Sequence, residues 1–194
     1  MAQKSKKEKN KKESKIEWHE SVWLKWLFVV LFGVGFALVE AAVVIHLRRI
    51  LSNSAWVPEI TTADIALGLP YFLLLKAQAF KQIFPDQSIL NLELWREAAT
   101  ILMLLTVGWL AGRNWPQRIG AFLIAFGIWD IFYYVFLFVF ISWPSSLATP
   151  DLLFLIPLPW IAPVWLPAAI SVIMVSLGTS LLWKHQETRP FRKK

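Results

Sequence analysis

Three carboxylates stand inside long apolar runs of this sequence: Glu40 in VGFALVEAAVVIHL, Glu97 in WREAATILMLL and Asp130 in FGIWDIFYYVFLF. An ionisable side chain inside a membrane-length apolar run costs at least ~2.5 kcal/mol on insertion scales, so each is a candidate functional group. Tyr133 and Tyr134 follow Asp130 by one helical turn, Arg96 precedes Glu97, and Arg48 and Arg49 close the first run. Such a set supports several chemistries. Asp130, Tyr134, Glu97 and Glu40 can form a proton or ion relay. The arginines and tyrosines can instead hold the anionic head and the body of a small or lipid-linked molecule. In a third reading, Glu40 and Glu97 pair with Arg48, Arg49 or Arg96 and only set helix register. Asp130 has no basic residue near it on its own segment. It must be protonated, bonded to a tyrosine, or paired across helices.

Glu40, Glu97 and Asp130 are also the candidate metal ligands, because three carboxylates with a histidine suit Fe, Mn or Zn where they converge. Intramembrane His46 lies six residues after Glu40, roughly 120° around a helix from it. No His-x-x-His, Glu-x-x-His or His-Glu-x-x-His spacing occurs, and cysteine is absent. The chain carries no P-loop, dinucleotide fingerprint or G-x-S-x-G, and Ser145–Ser146 has no histidine beside it in sequence to act as base. No cofactor is specified by these residues.

The elements that must position them are membrane spans. Four segments reach the roughly 20 apolar residues a bilayer crossing needs: about 24–47, 92–111, 119–142 and 162–183. At 3.6 residues per turn, Glu40 shares a face with Gly33 and Ala37, and Glu97 with Glu93, Thr100, Leu104 and Gly108. Asp130 falls with Gly127 and Tyr134, and the fourth span aligns Pro167, Ala168, Ser171 and Gly178. Small and polar residues mark packing faces in membranes, so the acids should point into the bundle. Measured from the span ends, Glu40 should lie roughly 10 Å deep, Glu97 roughly 7 Å and Asp130 near the midplane. The result is an acidic, tyrosine-lined pocket opening outward beneath arginines. Asp151, at the start of the apolar stretch DLLFLIPLPW, is placed to close it from above.

Tryptophans flank these spans as an aromatic belt does, with Trp129 the mid-span exception. The eleven-residue run Ile65–Leu75 is half a bilayer long and is read as an interfacial or re-entrant helix broken near Pro70, not a fifth span. Prolines 144, 150, 157, 159 and 163 prevent a continuous helix in the second long loop, which should lie against the membrane or the bundle top.

Hydrophobic residues make up 57% of the 194 and charged ones 17%, which excludes a disordered chain and disfavours a soluble enzyme. The net charge of +7 resides wholly in the tails, +3 over residues 1–20 and +4 over 184–194. No nucleic-acid partner is expected from basic ends of this kind. They suit anionic lipids of the inner leaflet. The 143–160 loop has no Lys or Arg, so the positive-inside rule places both termini in the cytoplasm, although Arg48, Arg49, Lys76 and Lys81 give the 48–91 loop a modest counter-signal.

The segments REAATILMLL (96–105), FGIWDIFYYVFL (126–137), WPSSL (143–147) and DLLFLIPLPW (151–160) together resemble a family of small uncharacterised bacterial polytopic (four-helix) membrane proteins. The resemblance spans roughly residues 30–180 and implies topology and a bacterial inner membrane, with no activity attached. It adds weight to Glu97, Trp129, Asp130, Tyr133, Tyr134 and Asp151. The expected fold is an all-α four-helix transmembrane bundle with two outer membrane-associated loops. The expected site comprises Glu40, Arg96, Glu97, Asp130, Tyr133, Tyr134 and Asp151. Two functions fit: a binding or transport-type protein, alone, as a homodimer or within a larger membrane complex, and a membrane-embedded enzyme acting on a lipid or other apolar substrate, metal-assisted or not. A structural accessory subunit is the third.

Overall fold

The computed structural model describes residues 22–50, 61–84 and 86–185. The basic tails, except Lys184 and His185, lie outside the described residues. Four long helices dominate: α1 (Val22–Ile50), α2 (Gln87–Ala111), α3 (Trp115–Ile141) and α4 (Trp165–Lys184). All four are long and apolar enough to cross a membrane. Their ends follow capping chemistry, which hydropathy does not report. Asp86 accepts from the Ser88 amide at 2.8 Å and starts α2 five residues before the apolar run. Asn114 accepts from the Gln117 amide at 3.0 Å and starts α3. Each satisfies an amide that the first helical turn leaves without a partner.

Helix α3 is the hub. It packs along α1, α2 and α4, whereas those three barely pack on one another. Where α3 crosses α4 the backbones nearly touch: a Cβ on Gly178 would sit 2.5 Å from the Gly120 carbonyl oxygen, and one on Gly120 would sit 2.7 Å from the Gly178 oxygen. Close approach of this kind supplies dispersion contacts that replace the hydrophobic drive missing inside a bilayer. The buried positions of α1 and α2 include Gly33, Ala37, Glu40, Glu93, Glu97, Thr100, Leu104 and Gly108, the faces deduced from spacing. Trp129, the mid-span tryptophan, is turned into the bundle and is 6% exposed.

Val22 and Lys184 end at the same side of the bundle, where Trp23 and Trp183 meet edge to face at 5.1 Å. The short α2–α3 connection is there too, and Gln117 donates to the His185 carbonyl at 2.9 Å.

The opposite end departs from the all-α expectation. Residues 65–75 are not an interfacial or re-entrant helix but a hairpin, β1 (Ile65–Leu69) and β2 (Phe72–Leu75), turned at Pro70–Tyr71. Proline sets the first central position of that turn, and Tyr71 takes the left-handed φ of 64° at the second. The proline-rich loop forms a second hairpin, β3 (Pro150–Phe154) and β4 (Trp160–Pro163), so α4 begins at Trp165, three residues later than hydropathy suggests. Pairing of Leu73 with Ile161 and Leu74 with Trp160 joins the hairpins into one antiparallel sheet, β1-β2-β4-β3. The physical reason is backbone satisfaction. Segments too short or too proline-rich to bond internally as helices must pair with each other when buried in apolar surroundings. Leu47, Leu75, Phe84, Leu90, Leu152 and Ile161 form the core beneath this sheet.

The β3–β4 hairpin does not lie on top of the bundle. Its Phe154 ring packs against Phe126 and Trp129 of α3, with centroids 6.2 and 6.5 Å apart. Phe126 is fifteen residues before the last residue of α3, roughly 22 Å along the helix. The hairpin tip therefore descends between α2 and α4 to the middle of the bundle.

Candidate functional site

All seven residues proposed from sequence border one cavity of about 300 Å³. Its floor is α3 (Phe126, Trp129, Asp130, Tyr133, Tyr134), its sides are α2 and α4, and residues 152–155 with Trp160 form its roof. Because α2 and α4 do not pack along each other, the open side lies between them. Ile170 on that side is 49% exposed. Most of the wall is aromatic and aliphatic, in contrast to the acidic lining expected from sequence.

The acids are arranged as anchors first. Arg96 of α2 donates to Glu40 of α1 and to Glu93 one turn back on its own helix, with Nε 2.9 Å from Glu93 Oε1. This triad is the principal bond between α1 and α2. Removing one partner of such a buried pair costs about 3–5 kcal/mol, because the other charge is left uncompensated. Glu40 thus pairs as the register reading held. Glu97 does not.

Glu97 points at the hairpin tip. Its two carboxylate oxygens accept the backbone amides of Leu155 at 2.8 Å and Ile156 at 2.9 Å. Those amides face no strand partner, and irregular backbone at membrane depth is tolerated only where protein satisfies it. A carboxylate meets both at once.

Asp151 fixes the other end of β3. Tyr134 Oη donates to its Oδ2 at 3.0 Å, and Arg48 of α1 approaches Oδ1 at 3.7 Å. The Arg48 guanidinium also lies 3.9 Å from the centre of the Trp143 ring. Asp151 is 1% exposed, and burial pushes its carboxyl up to about 7, with Arg48 and the Tyr134 hydroxyl pulling the other way. The arginines are thus not an open rim: Arg48 and Arg96 are turned onto carboxylates, and Arg49 is exposed.

Asp130 is engaged least. It accepts one hydrogen bond, from the Ser171 hydroxyl of α4 at 2.8 Å, and its other oxygen has no donor among the described residues. Tyr133, edge-on to Tyr134 at 5.0 Å, makes no hydrogen bond through its hydroxyl among the described residues. Trp129 and Trp160 of the cavity wall have buried indole N–H groups that meet no acceptor among the described residues. An unsatisfied buried donor costs about 1–3 kcal/mol.

The three candidate metal ligands are each bonded to other groups of the protein. Glu40 is committed to Arg96, Glu97 to two amides and Asp130 to Ser171, and among the described residues no three His, Cys, Asp or Glu side chains come together as a metal site. Each of the three acids lies ten or eleven residues, about 15 Å, from the sheet end of its own helix.

Sequence reasoning passed over Glu93, Ser171 and Trp160 as site residues. Glu93 was visible as the i,i+3 partner of Arg96. Ser171 and Trp160 reach the cavity only through the crossing of α4 and the descent of the hairpin. Comparison of the chain with protein-family models, with curated proteins and with solved structures finds no match to any of them.

Proposed function

We propose that this is a multi-pass protein of a bacterial inner membrane, with both termini cytoplasmic, that binds an apolar molecule dissolved in the bilayer. The observation that carries the reading is the state of Asp130. It borders a largely apolar cavity and has one bond to the protein, while every other acid on that wall is committed to holding the fold. A pocket of about 300 Å³, mostly apolar with a few convergent polar groups, has the character of a small-molecule site. The lateral opening between α2 and α4 supports access from the lipid phase. The basic tails, set against a 143–160 loop without Lys or Arg, support the orientation. Binding is favoured over catalysis because, Asp130 apart, the acids that would serve as acid–base or ligand groups are already bonded.

The test is extraction and mass spectrometry of the detergent-purified protein, in wild type and in Met174→Trp, which places an indole in the cavity from the α4 side. A stoichiometric apolar small molecule should accompany the wild type and be depleted in the variant. Equal lipid content in both, with no enriched species, refutes a ligand cavity.

A further inference from the structure

Resting on the reading of the cavity as a ligand site, we infer that its occupant is a lipophilic organic cation whose protonated amine binds Asp130. The position of this side chain comes first. On α3 it stands four residues after Phe126 and four before Tyr134, and all three border the cavity from one helical face. On α4 the bordering residues Pro167, Ile170, Ser171 and Met174 form a matching stripe at intervals of three and four. Asp130 sits where the two stripes meet, bonded to Ser171. It is half-buried, and the carboxylate oxygen that Ser171 leaves without a donor is not sealed in the packing, as Asp151 Oδ1 is.

Charge on this wall is unbalanced. Five carboxylates border the cavity, Glu40, Glu93, Glu97, Asp130 and Asp151, against one guanidinium, that of Arg96. Arg96 is bonded to Glu40 and Glu93, and Arg48, reaching in from α1, lies against Asp151. Among the described residues no cation pairs with Asp130, and its one bond comes from a neutral hydroxyl. An enclosure with low-dielectric walls and an excess of one sign attracts the opposite one. The cation that a carboxylate needs in such surroundings then enters with the occupant.

The rest of the wall suits the same guest. Trp129 and Trp160 border the cavity with their indole nitrogens closed off in the packing, so they meet it with ring carbons. Phe126, Tyr133 and Phe154 add further rings. Aromatic surface attracts an ammonium and its alkyl substituents through the ring quadrupole, which an aliphatic wall cannot do. A hydroxyl group could donate to Asp130 but would leave its charge uncompensated. The apolar part of such a molecule reaches the lipid through the side between α2 and α4.

The experiment compares three probes of one shape in full-length protein in nanodiscs: benzyldimethylammonium, its hydrocarbon isostere isobutylbenzene, and the alcohol 1-phenyl-2-propanol. Binding is measured by equilibrium dialysis for wild type and Asp130→Asn, with empty nanodiscs subtracted. The ammonium should bind wild type about ten- to hundredfold more tightly than isobutylbenzene, the range for one hydrogen bond to a charged group, with the alcohol weaker than the ammonium. Asp130→Asn should abolish that preference and leave isobutylbenzene binding unchanged, which also shows that its cavity persists. In parallel, the side-chain carboxyl ¹³C resonance of Asp130 in the wild type should shift with the ammonium and not with isobutylbenzene, a readout that needs no substitution. An ammonium bound no more tightly than the hydrocarbon, an alcohol bound as tightly as the ammonium, or a preference that survives in Asp130→Asn overturns the cationic assignment and leaves the apolar cavity standing. Binding of none of the three probes overturns this assignment together with the cavity reading itself.

Discussion

Replacing Glu97 tests whether a membrane-embedded carboxylate here serves backbone satisfaction. In Glu97→Gln the side chain keeps one acceptor oxygen and turns an NH₂ group towards the second amide, so one of the two bonds to Leu155 and Ile156 is lost. A hydrogen bond to a charged group contributes about 1.5–3 kcal/mol, and an amide left unsatisfied in apolar surroundings costs about 1–3 kcal/mol. The expected local destabilisation of the β3–β4 tip is therefore about 2–3 kcal/mol. In amide exchange this is on the order of 30- to 150-fold faster opening. The assay is hydrogen–deuterium exchange with mass spectrometry in nanodiscs, following peptides over residues 150–163. Protection should fall there and hold over α3 and α4, since the helices carry their own bonds. Glu93→Gln is the control: it touches Arg96 and not the hairpin, so exchange at 155 and 156 should stay as in wild type. Unchanged protection in a folded Glu97→Gln protein refutes the claim that this acid holds the tip.

Two further outcomes follow from packing and from titration. Gly178→Ala should destabilise the bundle by about 1–3 kcal/mol, because its methyl would meet the Gly120 carbonyl oxygen at 2.5 Å. Gly35→Ala, with nothing within 4 Å of the new methyl, should be neutral or stabilise by up to about 1 kcal/mol through helix propensity; thermal unfolding in detergent separates the two. The Asp151 carboxyl titrates near 7 when folded and near 3.8 otherwise, so the folded state binds its proton more tightly. Its stability contribution is complete below about pH 4 and is lost as pH rises through about 7, which makes the wild type about 2–3 kcal/mol more stable at pH 5 than at pH 8 from this group. Asp151→Asn should flatten that part of the melting-versus-pH curve, and an unaltered curve contradicts the assignment.

Much of the bundle was legible in residue spacing because a bilayer leaves a long apolar run few alternatives to a helix. Small residues and acids at intervals of three and four then marked the inward faces correctly. Two helices start before their apolar runs, where Asp86 and Asn114 cap them, since capping is a local hydrogen-bond matter that hydropathy does not sense. The hairpins were misread for a related reason. Ile65–Leu75 and Pro150–Pro163 are separated by the whole of α2 and α3, and only their meeting in space makes strands of them.

Acidic residues were recognisable as inward and costly from sequence alone, for no apolar face tolerates an ionisable side chain without a partner. Which partner each one takes was a tertiary matter. Glu40 and Glu97 are the same residue type at similar depth, yet one meets a guanidinium and the other a pair of amides, because α2 turns Arg96 to α1 and Glu97 to the hairpin. Asp130 meets only one donor among the described residues, because α4 crosses it at a serine. The sequence thus determined that this protein spans a membrane with its acids turned inward. The helix crossings and the descending hairpin decided which partner each acid on the cavity wall takes.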